Sequence, residues 1–231
     1  MRNYIIIGGS SGIGKELVNI LAEQGENIVA TYNNNASEDL RNVKYIHLDV
    51  TKDVLDLDNL PDEIHGLAYC PGSINLKPFH RFTEDDLMDD FQLQVLGATK
   101  IIKQLLPRIK KSQDSSILLF STIAVQSGFN YHSQVAISKG AIEGLTRSLA
   151  AELAPNIRVN AIAPSITNTN LSNRFLNTQE KIDLQSQKNP LKKIGSAKDI
   201  AECAAFLLTP KSSWITGQII HIDGGASKLV Q

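Results

Sequence analysis

The residues most able to do chemistry in this chain are the glycines of Gly8-Gly9-Ser10-Ser11-Gly12-Ile13-Gly14. Such a run acts through its backbone. Glycines let the chain turn sharply and approach a pyrophosphate. A helix that follows offers unpaired N–H groups and the positive end of its dipole. The hydroxyls of Ser10 and Ser11 stand where they can touch phosphate or ribose. A glycine cluster by itself marks only a tight turn, so its flanks decide. Before it, Tyr4-Ile5-Ile6-Ile7 is apolar throughout, as in a strand buried on both faces of a parallel sheet. After it, Leu17, Val18, Leu21 and Ala22 recur on one helical face, with Gly25 as the expected C-cap. Strand, glycine turn and helix together predict nucleotide binding. The two cysteines, Cys70 and Cys203, make no C-x-x-C or metal-ligand spacing, and no metal site is expected.

The elements that must position this turn follow in alternation. Strands are expected at Asn27–Tyr32, Lys44–Leu48, Gly66–Cys70, Ile117–Phe120, Ile157–Ile162 and Gln218–Ile222. Thr83-x-x-Asp86 reads as a capping box opening a long helix through Leu105, with Pro107 near its end. A second long helix is expected over Ser133–Leu153, and Ser196-x-x-Asp199 caps another. The stretch from Ser165 to Gly195 is polar with weak helical patterning. Strands alternating with helices over 231 residues predict one α/β domain, residues 1–231, built as a Rossmann-type, doubly wound parallel sheet of about seven strands. Three helices are expected on each face.

Composition narrows the partners. Hydrophobic residues make up 42% of the chain and charged residues 20%, enough for a sizeable core. The net charge of −1 carries no basic excess, which argues against nucleic acid or an anionic membrane. Arg2 leads straight into the first strand without a signal-peptide profile, and no stretch approaches a membrane span. Cys70 reads as a buried thiol in a reducing compartment. A cytoplasmic location is expected.

Several ordered motifs carry a resemblance that runs end to end. Gly8-x-x-x-Gly12-x-Gly14, Asp49-Val50, Asn160-Ala161-Ile162-Ala163-Pro164 followed by Thr169, Trp214-Ile215-Thr216-Gly217-Gln218 and Asp223-Gly224-Gly225 all match one pattern. The chain resembles the short-chain dehydrogenase/reductase family. The resemblance implies that Asp49 and Val50 contact adenine, that Pro71 and Gly72 border the cofactor, and that Pro164, Ile166 and Thr169 lie over the nicotinamide. It also implies a homodimer or homotetramer, paired through the two long helices and the last strand, acting on a small-molecule substrate.

The catalytic positions depart from that pattern. The family uses an Asn, a Ser and a Tyr-x-x-x-Lys pair. Lys139 matches the ribose-binding lysine, yet Val135 stands four residues ahead of it where the Tyr belongs. Thr122 falls at the Ser position and keeps a hydroxyl. Gln94 falls at the Asn position and keeps an amide one methylene longer. Tyr69-Cys70-Pro71-Gly72 replaces the family's Asn-Asn-Ala-Gly turn. Valine cannot protonate a developing alkoxide, and general acid catalysis is worth about 10²–10⁴-fold. Tyr131 is the expected replacement, since a helical continuation ahead of Val135 would align Tyr131, Val135 and Lys139 on one face. Enoyl-thioester reductases of the superfamily carry their Tyr seven residues before the Lys, one fewer than here. His132 is a second candidate donor near neutral pH.

Cofactor choice turns on the end of the second strand. NAD users place a carboxylate there for the ribose 2′-hydroxyl. Here Thr31, Tyr32, Asn33 and Asn34 offer no such repulsion to a 2′-phosphate, so NADP(H) is favoured over NAD(H). No Arg or Lys precedes Gly12 to select for it positively. Two functions compete: an oxidoreductase with an altered site, moving hydride to or from a carbonyl, alcohol or activated C=C, and a nucleotide-binding pseudoenzyme serving as sensor or scaffold.

Overall fold

A computed structural model describes residues 1–229, so the last two residues of the expected 1–231 span lie outside it. The first strand, β1 (Asn3–Ile7), is buried from Tyr4 onward because its alternate side chains feed two different cores. Tyr4 and Ile6 face one side, and Ile5 and Ile7 the other. Helix α1 (Gly12–Glu23) then packs Leu17, Val18 and Leu21 onto the Tyr4 side, where each is fully buried. Removal of such side chains from water stabilises by about 1.5–3 kcal/mol apiece. Gly25 adopts a φ of 80°, and the Gly25 and Glu26 N–H groups donate to the Ala22 and Leu21 carbonyls, closing α1 in a Schellman motif.

The chain continues through β2 (Asn27–Tyr32), β3 (Val43–His47), β4 (Gly66–Tyr69), α2 (Glu84–Phe91), a π-helical turn (Gln92–Leu96), α3 (Gly97–Ile109) and β5 (Ser115–Phe120). Next come α4 (Ser133–Leu153), β6 (Ile157–Pro164), the two-residue β7 (Thr167–Asn168), α5 (Gln179–Lys188), the two-residue β8 (Gly195–Ser196), α6 (Ala197–Leu208) and β9 (Ile219–Ile222). Seven strands form one parallel sheet in the order β3-β2-β1-β4-β5-β6-β9. The order reverses between β1 and β4, which makes the switch point where open α/β sheets bind ligands at their carboxyl ends.

Helices cover both faces, but not three on each. Helices α1 and α6 pack on one core, while the α2–π–α3 run and α4 pack on the other. Residues 33–42 and 48–65, which connect β2, β3 and β4, form no helix. The first connection is rich in Asn, and the second in Asp with Pro61. The first has no apolar stripe to bury, whereas the second buries Leu48, Val50, Leu55, Leu60 and Ile64 in the core without the spacing of a helical face. Both expected capping boxes are present: Thr83 and Asp86 open α2, and Ser196 and Asp199 open α6. The single long helix expected from Thr83 through Leu105 is interrupted by the π turn. Among the described residues no helix is long and apolar enough to cross a membrane.

Candidate active site

The glycine turn joins β1 to α1 at the switch point. Gly8 and Gly12 take φ values of 74° and 52°, the left-handed region that favours glycine. Gly14 is required by close approach: a Cβ there would overlap the Gly8 carbonyl oxygen and lie 3.0 Å from its carbon. The turn is pinned from below by Thr31. Its buried hydroxyl accepts the Gly8 N–H at 3.0 Å, and its carbonyl accepts the Gly9 N–H at 2.9 Å. Thr31 therefore shapes the turn from beneath, whereas Asn33 and Asn34 are exposed at the end of β2. Ser11 is the extended N-cap of α1, but its side chain makes no capping bond. The first N–H groups of that helix have no partner within it. Ser10, Ser11, Gly12 and Ile13 are all half-buried at this mouth.

Other predicted residues gather around the turn. Pro71 Cδ stands 3.2 Å from the point where a Cβ on Gly8 would sit. Thr169 stands 3.6 Å from the corresponding point on Gly12, so the segment after β6 lies across the glycine turn. That segment, running from Pro164 through Ile166 to Thr169, is held by a ladder the sequence did not announce. Thr167 and Asn168 pair with Gly195 and Ser196, tying it to the start of α6. Arg174 donates to the Ile74 carbonyl and bridges the next turn to the loop after β4. At the end of β3, the Asp49 carboxylate accepts the Thr51 hydroxyl at 2.6 Å and the Thr51 N–H at 3.0 Å, and Lys52 lies 3.1 Å away. The Thr51 bonds foremost hold its pKa down to about 2. Val50 is buried in the core beside it.

Helix α4 delivers Lys139 to the ends of β4 and β5. The lysine is 9% exposed, and its Nζ donates to the Phe120 carbonyl at 2.8 Å. Burial lowers its pKa from the ordinary 10.5 to about 8, against the opposing pull of Asp90 and Cys70. Burial likewise pushes the Cys70 thiol up to about 12. Gln94 Oε1 and Lys139 Nζ both lie near Gly72, at 3.6 and 3.9 Å from the point where its Cβ would be. Thr122 caps the short turn Ile123–Val125, its hydroxyl oxygen accepting the Ala124 N–H at 3.3 Å. That bond uses an acceptor and leaves the O–H proton to donate elsewhere.

The helical continuation expected for Tyr131 is not present. Helix α4 starts at Ser133, and Tyr131 lies ahead of it with a φ of 69°, 56% exposed. The left-handed conformation turns the chain away from the helix axis, so Tyr131 does not share a face with Val135 and Lys139. His132 instead contacts the Asn130 carbonyl through Nδ1 at 2.8 Å. Val135 is 6% exposed and packs as an apolar residue.

Two features of the site escaped the sequence. The first is the π turn that carries Gln94. The Tyr69 hydroxyl donates to the Leu93 carbonyl at 2.5 Å, and Gly97 makes room for that hydroxyl. The second is Asp90, buried on the inner face of α2, which accepts from the Gln94 amide at 2.7 Å and from the Ser73 hydroxyl.

With this geometry in hand, comparison with known proteins decides the family. A family model described as enoyl-(acyl carrier protein) reductase matches residues 8–227. The chain belongs to the short-chain dehydrogenase/reductase family. An uncharacterized oxidoreductase of Bacillus subtilis, YmfI, is 30% identical over 239 aligned positions, covering 97% of this chain and 98% of the relative. A short-chain dehydrogenase family protein from Francisella tularensis superposes with a TM-score of 0.90 at 29% identity, covering 99% of this chain and 100% of that one. ElxO, solved with NADP bound, superposes at 0.87 with 25% identity, covering 99% of each chain. Its relatives make this family member an oxidoreductase of the short-chain type.

Proposed function

We propose that this protein is an NADP(H)-dependent oxidoreductase whose proton delivery differs from the family pattern, acting on a small carbonyl, alcohol or activated C=C. The observation that carries the reading is Lys139: a buried amine beside Gly72 and Gln94, at the same strand ends as the glycine turn. A lysine kept at that cost of burial without a task would be an unexplained expense of stability. The residues present fit a dinucleotide. The close approach at Gly14 leaves a cradle of backbone, α1 offers its N-terminus, and Thr169 closes over Gly12. Gly8, Ser10, Ser11, Gly12, Ile13 and Gly14 would hold the pyrophosphate, and Asn33 and Asn34 the far ribose. Asp49 and Val50 would hold the adenine, and Pro71, Gly72, Pro164, Ile166 and Thr169 would border the nicotinamide. ElxO, a relative in fold and sequence, binds NADP, which supports the same class of cofactor here.

When bound, the nicotinamide supplies or takes up the hydride. The chain's own task is to hold the substrate oxygen and move one proton. Thr122 has its O–H left to donate to that oxygen. Lys139, with a pKa near 8, carries a proton whose acidity is far closer to neutral than an ordinary lysine's, as a general acid requires. In reduction its ammonium gives a proton to the developing oxyanion or carbanion and becomes the neutral amine; oxidation runs the same transfer backwards. Gln94 offers an amide beside that amine. Tyr131 is left with a minor part, because it stands exposed outside α4.

One observation favours a second reading, that of a nucleotide-binding protein without turnover: the buried Val135 leaves no phenol at the site. An anaerobic stopped-flow screen of NADPH oxidation with ketones, quinones and enoyl thioesters separates the two. The expected result is turnover of one class by wild type, with about 10²-fold or greater loss in Lys139→Ala. No turnover by wild type, with unchanged NADPH binding, would leave the second reading. Tighter binding of NADH than NADPH in calorimetry would contradict the cofactor preference.

Assembly follows the same reading. The α2–π–α3 run and α4 expose Met88, Leu96 and Ile137, and Trp214 ahead of β9 is 99% exposed. Apolar surface of this kind supports a homodimer or homotetramer with two-fold symmetry.

A further inference from the structure

Asp90 is a charged group sealed inside the protein. It is 4% exposed, and its Oδ2 has no partner among the described residues. Its Oδ1 accepts both the Gln94 amide at 2.7 Å and the Ser73 hydroxyl. A buried carboxylate with an open oxygen is costly unless a cation compensates it. Lys139 is the buried cation at hand, and its amine donates to a neutral carbonyl, that of Phe120. Three elements act on that amine: β5 through the Phe120 carbonyl at 2.8 Å, and the end of β4 and α2 through the longer-range charges of Cys70 and Asp90. The negative charge of Asp90 favours the Lys139 ammonium and opposes the effect of burial.

Gln94 links the two. A carboxylate only accepts, so Gln94 must turn its NH₂ toward Asp90 and its carbonyl oxygen away. That oxygen is the one found near Gly72, on the side where Lys139 Nζ lies, and it too is buried without a partner. The π turn sets the amide at this point of the helix, four residues after Asp90. Asp90 thus controls two properties at once: which end of Gln94 faces the amine, and how much negative potential the amine feels.

We propose that Asp90 is a positioning residue of this active site, selecting the amide orientation of Gln94 and serving as the buried countercharge of Lys139. The proposal rests on the reading of Lys139 as the proton carrier, and it explains how a site with valine at position 135 keeps an ionisable group in play. With Asp90 present, the Lys139 ammonium persists in a site that would otherwise strip its proton at lower pH.

The test uses lysine-selective ¹³C and ¹⁵N NMR on the full-length chain without nucleotide, with Lys139→Met identifying the resonance. Wild-type Lys139 should titrate near 8. Asp90→Asn, which keeps the size and removes the charge, should lower that midpoint by about one pH unit or more. Asp90→Glu should restore most of the loss. An Asp90→Asn protein, folded by circular dichroism, in which Lys139 titrates as in wild type would overturn the proposal. If the asparagine variant does not fold, the Gln94 amide of wild type decides. Protons held by Asp90 should exchange at least about tenfold more slowly than those of a free glutamine and shift as Lys139 titrates. Exchange at the free rate would overturn the proposal as surely. None of these readouts needs turnover, so a protein that oxidises no NADPH would refute the functional reading while leaving the answer on Asp90 intact.

Discussion

The π turn beneath Gln94 rests on a contact that two substitutions can take apart. The Tyr69 hydroxyl reaches the Leu93 carbonyl at 2.5 Å, and a Cβ on Gly97 would fall deep inside contact distance of that hydroxyl, yet 3.4 Å from the ring carbon bearing it. Alanine in place of a helical glycine ordinarily gains about 0.8–1 kcal/mol. Forcing a methyl into a closed core costs about 1–3 kcal/mol, and Tyr69 is too buried to withdraw. Gly97→Ala should therefore destabilise wild type by up to about 2 kcal/mol. Tyr69→Phe removes the donor and leaves the Leu93 carbonyl unpaired, which costs about 1–3 kcal/mol. In that background the obstructing oxygen is gone, the ring carbon stands near ordinary contact distance, and Gly97→Ala should become neutral or stabilising. The double variant should be at least as stable as Tyr69→Phe alone, a coupling of about 2 kcal/mol between the two sites. Urea unfolding of the four proteins followed by circular dichroism measures it. An equal cost of Gly97→Ala in both backgrounds would refute the steric argument and the role of Tyr69 in shaping the turn.

Lys139 should leave a pH signature in stability. Its folded pKa, about 8, lies below the ordinary 10.5, so between those values the unfolded chain binds more protons and stability rises with pH. Across that window wild type should gain about 3 kcal/mol that Lys139→Met lacks, and the stability of the variant relative to wild type should fall accordingly; a pH-independent difference in urea unfolding would count against a buried, shifted amine. Gly14→Ala should weaken NADPH binding about 10–100-fold, because the overlap is with the backbone of Gly8 and cannot be relieved by a rotamer change; unchanged affinity in calorimetry would remove the glycine turn from the site. Light scattering at micromolar concentration should report a dimer or tetramer, and a monomer would show that the exposed Trp214 and the α4 surface are not assembly faces.

Much of the frame was legible because it depends on local patterns. The apolar run of β1, the glycines after it and the stripe of Leu17, Val18 and Leu21 each follow from a period or a steric rule, and the observed elements match them. Helix α4 spans Ser133–Leu153 as expected, since its pattern runs without interruption. The absent helices between β2 and β4 were a different matter. Alternation of strands and helices predicted three helices on each face, but the first connection has no apolar stripe, and the second buries Leu48, Val50, Leu55, Leu60 and Ile64 from irregular chain. The site was less legible where tertiary contacts overrule local preference. Nothing in the sequence around Gln92–Leu96 announces a π turn, and the hydroxyl bonded to it comes from a tyrosine 24 residues upstream. Asp90 follows Asp85, Asp86 and Asp89 in a run that reads as a solvated helix start, yet the packing of α2 against α4 turns it inward. Its spacing of four residues from Gln94 was the one available signal. The helical alignment of Tyr131 failed for a local reason: its positive φ interrupts the register that periodicity assumed.

The most direct measurement of the central claim follows the hydride itself. NADPH deuterated at C4 is mixed with wild-type protein and each of a ketone, a quinone and an enoyl thioester, and the products are analysed by mass spectrometry. Deuterium should appear in the product of one class, with the yield in a fixed time reduced about 10²-fold or more in Lys139→Ala. If wild type transfers deuterium to none of them while Val135→Tyr transfers it to the ketone, the protein binds the nucleotide without using it, and the altered-donor account is contradicted.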